Sequence, residues 1–165
     1  MKNISFFYFL VFIFLLFSTP QTFSKNSIIF SPPKWSAGKK NEINGRVGPG
    51  LRYPIRYVYK TPFLPFKLLA YKDGWYKVQD FDNEQVWILG TLLTTKAAVF
   101  LIKKPCSFYR KKNDSKHYAI LLKDVIVHVK KCSGNRCFGT IRSYKGWFEP
   151  YICGWGATPG INLHK

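Results

Sequence analysis

Residues 44–55 read NGRVGPGLRYPI: Arg46 stands just ahead of Gly48-Pro49-Gly50, and Tyr53-Pro54 follows. Two glycines around a proline make a tight loop, because glycine reaches backbone conformations closed to other residues and proline fixes the turn between them. Arg46 precedes that loop on a strand-like run. Its fork of donors can reach the loop carbonyls or an outside carboxylate.

Outward from this loop the chain reads as short strands. Ile55 to Tyr59, Pro65 to Tyr71, Trp75 to Gln79 and Val86 to Leu89 come first. Ala97 to Lys103, His117 to Leu122, Val125 to Lys130, Arg136 to Ile141 and Gly146 to Tyr151 follow. They are separated by turn formers such as Asp73-Gly74 and Asp82-Asn83, and no window of helical length holds a 3.6-residue period. This predicts an all-β chain. Residues 25–40 carry Pro32, Pro33 and Lys39-Lys40 without a repeat and read as an extended linker.

The two halves resemble each other. Gly74-Trp75-Tyr76-Lys77-Val78, a polar turn and Val86-Trp87-Ile88 are matched by Asn135-Arg136-Cys137-Phe138, a turn and Gly146-Trp147-Phe148. Leu92 and Ile152 each lie five residues past the second tryptophan and are expected to close a core. We expect a tandem pair of small units, residues 41–95 and 96–156, with a tail at 157–165. Units of this size bury little core, so mutual packing or disulfides must support them.

The N-terminus carries Lys2 and then ISFFYFLVFIFLLF over residues 4–17, an apolar run shorter than the roughly 20 residues a membrane span requires. Thr22-Phe23-Ser24 places small residues two apart, as a signal peptidase needs. Residues 1–24 read as a signal peptide, with an uncleaved anchor as the alternative. The expected localisation is export, to the periplasm or outside the cell, with no stable membrane span after cleavage.

Export makes disulfides the default for cysteine. Cys132 and Cys137 flank Ser-Gly-Asn-Arg, a turn between two strand-like runs, so they can face each other across a hairpin. That leaves Cys106 for Cys153. The loop-entropy view assigns about 2 kcal/mol to the small ring and about 4 kcal/mol to the large one. A zinc site is the competing reading, but Cys-x4-Cys is a loose spacing with no second close pair. No metal and no cofactor are expected.

The net charge of +18 favours anionic partners: wall carboxylates, lipid phosphates or other anionic surfaces. The excess is mostly scattered lysine, 20 against 6 arginines, and export argues against nucleic acid.

The segment from Asn44 through Tyr53-Pro54 resembles the N-x-R-x-G-P-G-x-x-Y-P signature that opens bacterial SH3-like (SH3b) domains. The likeness continues through Leu64-Pro65-Phe66-Lys67-Leu68-Leu69, Asp73-Gly74-Trp75-Tyr76-Lys77-Val78 and Val86-Trp87-Ile88 to Leu92-Leu93. The chain is also similar to the secreted two-copy form, whose second copy carries a hairpin cysteine pair and ends near Trp-Gly, here Cys132, Cys137 and Gly154-Trp155-Gly156. The resemblance implies two tandem SH3-like β-barrels after a signal peptide. It also implies recognition of peptidoglycan.

Candidate ligand-binding residues are Arg46, Tyr53, Trp75 and Trp87. Each has a plainer role, Arg46 as a loop brace and the aromatics as core. Gly45 and Gln85 depart from the family pattern, Arg136 stands for the usual hairpin tryptophan, and the second copy has Lys103-Lys104-Pro105-Cys106-Ser107 in place of the loop. If ligands need that loop or that tryptophan, only the first copy binds and the second is a structural partner.

No catalytic constellation is visible. His117, His128 and His164 lack an acid at short spacing, and Asp80, Asp82 and Glu84 read as a solvated turn rather than a calcium cage. We expect a non-enzymatic module that binds peptidoglycan. The alternative is an envelope module that docks proteins or peptides, and a minor third reading is a basic effector on anionic membranes.

Overall fold

A computed structural model describes residues 35–156. The expected signal peptide, most of the linker, the tail and His164 lie outside the described residues. The regular structure among the described residues is strand, apart from one 3-10 turn at Gly90–Leu92 and one helical turn at Pro150–Cys153.

The first seven strands are β1 (Trp35–Gly38), β2 (Ile43–Arg46), β3 (Ile55–Tyr59), β4 (Pro65–Lys72), β5 (Trp75–Gln79), β6 (Gln85–Leu89) and β7 (Leu93–Thr94). They form one sheet in the order β3-β2-β6-β5-β4-β1-β7. The pairing ends at β3 on one side and β7 on the other, so hydrogen bonds do not close it into a barrel. β1 corrects the linker reading: Ala37 pairs with Pro65 of β4 and with Thr94 of β7. No repeat announces a four-residue strand whose partners lie so far along the chain.

The next seven are β8 (Val99–Ile102), β9 (Cys106–Phe108), β10 (Ala119–Leu121), β11 (Ile126–Ser133), β12 (Arg136–Ile141), β13 (Tyr144–Phe148) and β14 (Gly154–Gly156). Five form a sheet in the order β13-β12-β11-β8-β14, and β9 and β10 form a ribbon. Tyr109, just after β9, joins ribbon to sheet by exchanging two 2.8 Å backbone hydrogen bonds with Trp147. Through that bridge the order is β10-β9-β13-β12-β11-β8-β14, the order of the first set.

The match extends to single residues. β4 has a register shift between Leu68 and Ala70, after which Ala70 faces Lys77. β11 has one between Val129 and Lys131, after which Lys131 faces Phe138. Lys77 then faces Trp87, and Phe138 faces Trp147. The hairpin turns differ in chemistry. Asp73 and Gly74 both take positive φ (48° and 85°), as a two-residue type I′ turn demands, whereas in the second hairpin Gly134 does so at the first central position (φ 62°).

Strand alternation sends Ile43, Val78, Val86 and Ile88 into one core with Phe66 and Leu68. A second core gathers Phe100, Ile102, Phe108, Val127, Val129 and Phe148. The two sets also touch. Leu101 of β8 is buried in the first core, Trp35 meets Trp155 edge-on at 4.9 Å, and Lys103 Nζ sits 2.8 Å from Asp82 Oδ1. Cys106 is bonded to Cys153 and Cys132 to Cys137, the latter two being cross-strand partners in β11 and β12.

The expected closing residue Ile152 is 60% exposed, and buried Cys153 takes the inward place. In the first set the inward residue is likewise Leu93, with Leu92 only packed against the core. The turn after the second tryptophan shifts the inward position by one.

Candidate ligand-binding site

Arg46 closes β2, where its backbone pairs with Trp87 of β6, and Trp87 pairs with Lys77 of β5. Paired residues point to the same side of a sheet. Arg46, Trp87 and Lys77 therefore form a row on the face opposite Val78, Val86 and Ile88. Trp75, two residues before Lys77, shares that face and pairs with Leu89.

The four candidate residues are thus brought together, but with unequal freedom. Arg46 Nη1 donates to the Tyr53 carbonyl at 2.7 Å and to the Leu51 carbonyl at 3.1 Å, which braces the Gly-Pro-Gly loop from inside. Tyr53 lies flat against Gly48, where any side chain would run into its ring. The glycine is needed for close approach rather than for an unusual φ. Trp75 is buried at 8% exposure, in keeping with the plainer core role expected of it, but its register position and that of Trp87 lie on the face opposite Val78, Val86 and Ile88. Trp87 is half-buried and is the candidate ring that keeps a free surface together with Tyr53. Arg52 lies 5.5 Å from the Tyr53 ring centroid and adds a cation beside it.

Past the loop, β3 is the edge strand, and Ile55, Arg56, Tyr57 and Val58 are all exposed. An edge of this kind offers unpaired backbone groups beside apolar side chains. Arg56 is tied to Glu84 at 2.9 Å.

The acidic turn is not a solvated loop throughout. Asp80 is 4% exposed: its Oδ1 accepts from the backbone N–H groups of Asp82 and Glu84 at 2.9 Å each, and its Oδ2 accepts from the Tyr59 hydroxyl at 2.8 Å. Burial, reinforced by this bond, pushes the Tyr59 phenol well above its usual range. The sequence signal for this was available, since an Asp two residues before a turn residue is a common cap for its N–H groups. The Tyr59 ring also explains Gly45: a Cβ there would stand 2.8 Å from Val86 and 3.1 Å from Tyr59, so these two side chains fill the space a larger residue would need. No cluster of three or more metal-binding side chains occurs among the described residues.

In the second set, Arg136 takes the register position of Trp75 and Tyr109 that of Arg46. The Arg136 guanidinium lies 3.7 Å from the Tyr109 ring centroid. It donates to Glu149 at 3.0 Å and to the carbonyls of Lys112 and Asp114 at 2.6 and 2.8 Å. His128 is half-buried with its ring 4.9 Å from that of Phe63, and burial, then Lys130, holds its pKa below the usual value. His117 is exposed.

Residues 39–94 match the family model described as bacterial SH3 domain. No curated protein matches. Among solved structures, NlpC2 from Trichomonas vaginalis is similar at 13% identity and a TM-score of 0.35, over 76% of this chain and 49% of that one. NlpC1 from the same organism gives 13% and 0.35, over 78% of this chain and 48% of that one. The chain spans about half the length of each. The family match begins just after β1 and ends with β7, so the stretch that is similar to bacterial SH3 domains takes in the braced Gly-Pro-Gly loop, the Asp-Gly hairpin and the outward tryptophan row.

Proposed function

We propose that this is an exported, non-enzymatic binding protein that recognises cell-wall peptidoglycan through its first unit, and that its two strand sets are tandem copies of one SH3-like β-barrel. The observation that carries the reading is the outward row of Arg46, Trp87 and Lys77 beside the loop holding Tyr53. Half-buried rings flanked by cations suit a ligand that carries both apolar surface and carboxylates. Because Arg46 is committed to loop carbonyls, Lys77 and Arg52 supply the charge and Arg46 sets the loop. The shared strand order and the matching register shifts support the two-copy reading.

Two disulfides favour an oxidising compartment, and no helix among the described residues is long and apolar enough to cross a membrane. The non-enzymatic part of the reading is supported by where reactive groups are spent. Asp80 braces a turn, all four cysteines are bonded, and His128 packs on Phe63.

The exposed edge strand β3 favours a second reading, docking of an extended envelope peptide by strand addition. Retention on purified peptidoglycan sacculi at low and high salt tests the first. We expect binding at low salt that weakens as salt rises, since exposed charges are screened beyond about 10 Å at 0.1 M. No retention at low salt would leave the peptide reading.

A further inference from the structure

The second strand set carries an aromatic face of its own. Phe138 and Trp147 are cross-strand partners whose ring centroids lie 5.5 Å apart, tilted by 58°. Lys131, the next residue in the same row, places its Nζ 6.0 Å from the Phe138 centroid and 5.7 Å from that of Trp147. Both rings are half-buried and belong to neither core, and Lys131 is exposed. Trp147 holds the register position of Trp87 and Phe138 that of Lys77. The cation and aromatic of the remaining pair are exchanged: Arg46 and Trp75 in the first set, Tyr109 and Arg136 in the second. This face is not a blank copy.

Its occupant follows from what the face offers. β11 and β12 are paired on both sides, and the outer side of β13 is bridged to Tyr109 at Trp147 itself, so the backbone beside the two rings is already taken. Recognition is left to ring faces and charge. Glu149, two residues past Trp147, is held by Arg136, and among the described residues neither Lys131 nor Lys145 is in an ion pair. Sugar rings present C–H groups that suit the electron-rich face of an aromatic ring, and a carboxylate on the sugar suits an ammonium above it.

We propose that Phe138, Trp147 and Lys131 form a second binding platform, for a saccharide carrying a carboxylate. It uses none of the first unit's residues and stands independently of the peptidoglycan reading.

Calorimetric titration of the oxidised full chain with oligogalacturonate tests it, against a neutral chito-oligosaccharide and polyglutamate. We expect oligogalacturonate to bind most tightly, and Lys131→Gln and Phe138→Leu each to weaken it about tenfold, the scale of one charge-assisted hydrogen bond or one stacked ring. Phe138→Leu keeps apolar bulk, and Lys131→Gln changes only an exposed side chain, so both should fold. Absence of oligogalacturonate binding, equal affinity for polyglutamate, or unchanged affinity in both variants would each overturn the proposal.

Discussion

Replacing Asp80 tests whether the first unit depends on one buried carboxylate. Asp80→Ala strands three donors at once: the backbone N–H groups of Asp82 and Glu84 and the hydroxyl of Tyr59. Hydrogen bonds to a charged acceptor contribute about 1.5 kcal/mol or more each, so the loss should be about 3–5 kcal/mol, large beside a total stability of about 5–15 kcal/mol. Asp80→Asn keeps one oxygen for both N–H groups, and its amide faces a hydroxyl that can accept instead of donate. Its cost should be about 1–2 kcal/mol. Urea unfolding of the oxidised chain, followed by tryptophan emission, reads both. A loss below about 1 kcal/mol for the alanine variant, or equal losses for the two, would refute the reasoning.

Four further outcomes are expected. Tyr59 has a folded pKa above its unfolded value, so its contribution is complete below about pH 10 and is lost above it, by up to about 1.4 kcal/mol per unit. In Tyr59→Phe the urea midpoint should fall less between pH 9 and 11. His128 has a folded pKa below its unfolded value, so its contribution is present above about pH 6.5 and fades as pH falls through the folded value. Unfolding at pH 7.5 and 5 should show a smaller difference in His128→Phe than in the parent. Arg46→Ala frees the carbonyls of Leu51 and Tyr53, which should cost about 1–2 kcal/mol and expose the 47–54 loop to limited proteolysis. Removing Cys106 and Cys153 together should cost about 4 kcal/mol and removing Cys132 and Cys137 about 2 kcal/mol, read as shifts in urea midpoint.

What the sequence determined alone is local. Trp75–Gln79 and Arg136–Ile141 are strands with the bounds their apolar alternation predicts, because each is half of a hairpin whose turn residues lie between. The Cys132–Cys137 bond follows from the same locality, and the braced Gly-Pro-Gly loop was legible in its spacing. Only the tertiary structure decided the rest. Trp35–Gly38 is a strand because β4 and β7 flank it, and nothing in its own four residues says so. Asp80 is buried because a tyrosine 21 residues earlier closes over it. Trp75 and Trp87 face outward because register, counted across β2, β6 and β5, puts them opposite the core, while an aromatic residue read singly suits either face. Short-range turns act through neighbours in the chain, but sidedness and burial are fixed by partners far along it, and their choice is a property of the assembled sheet.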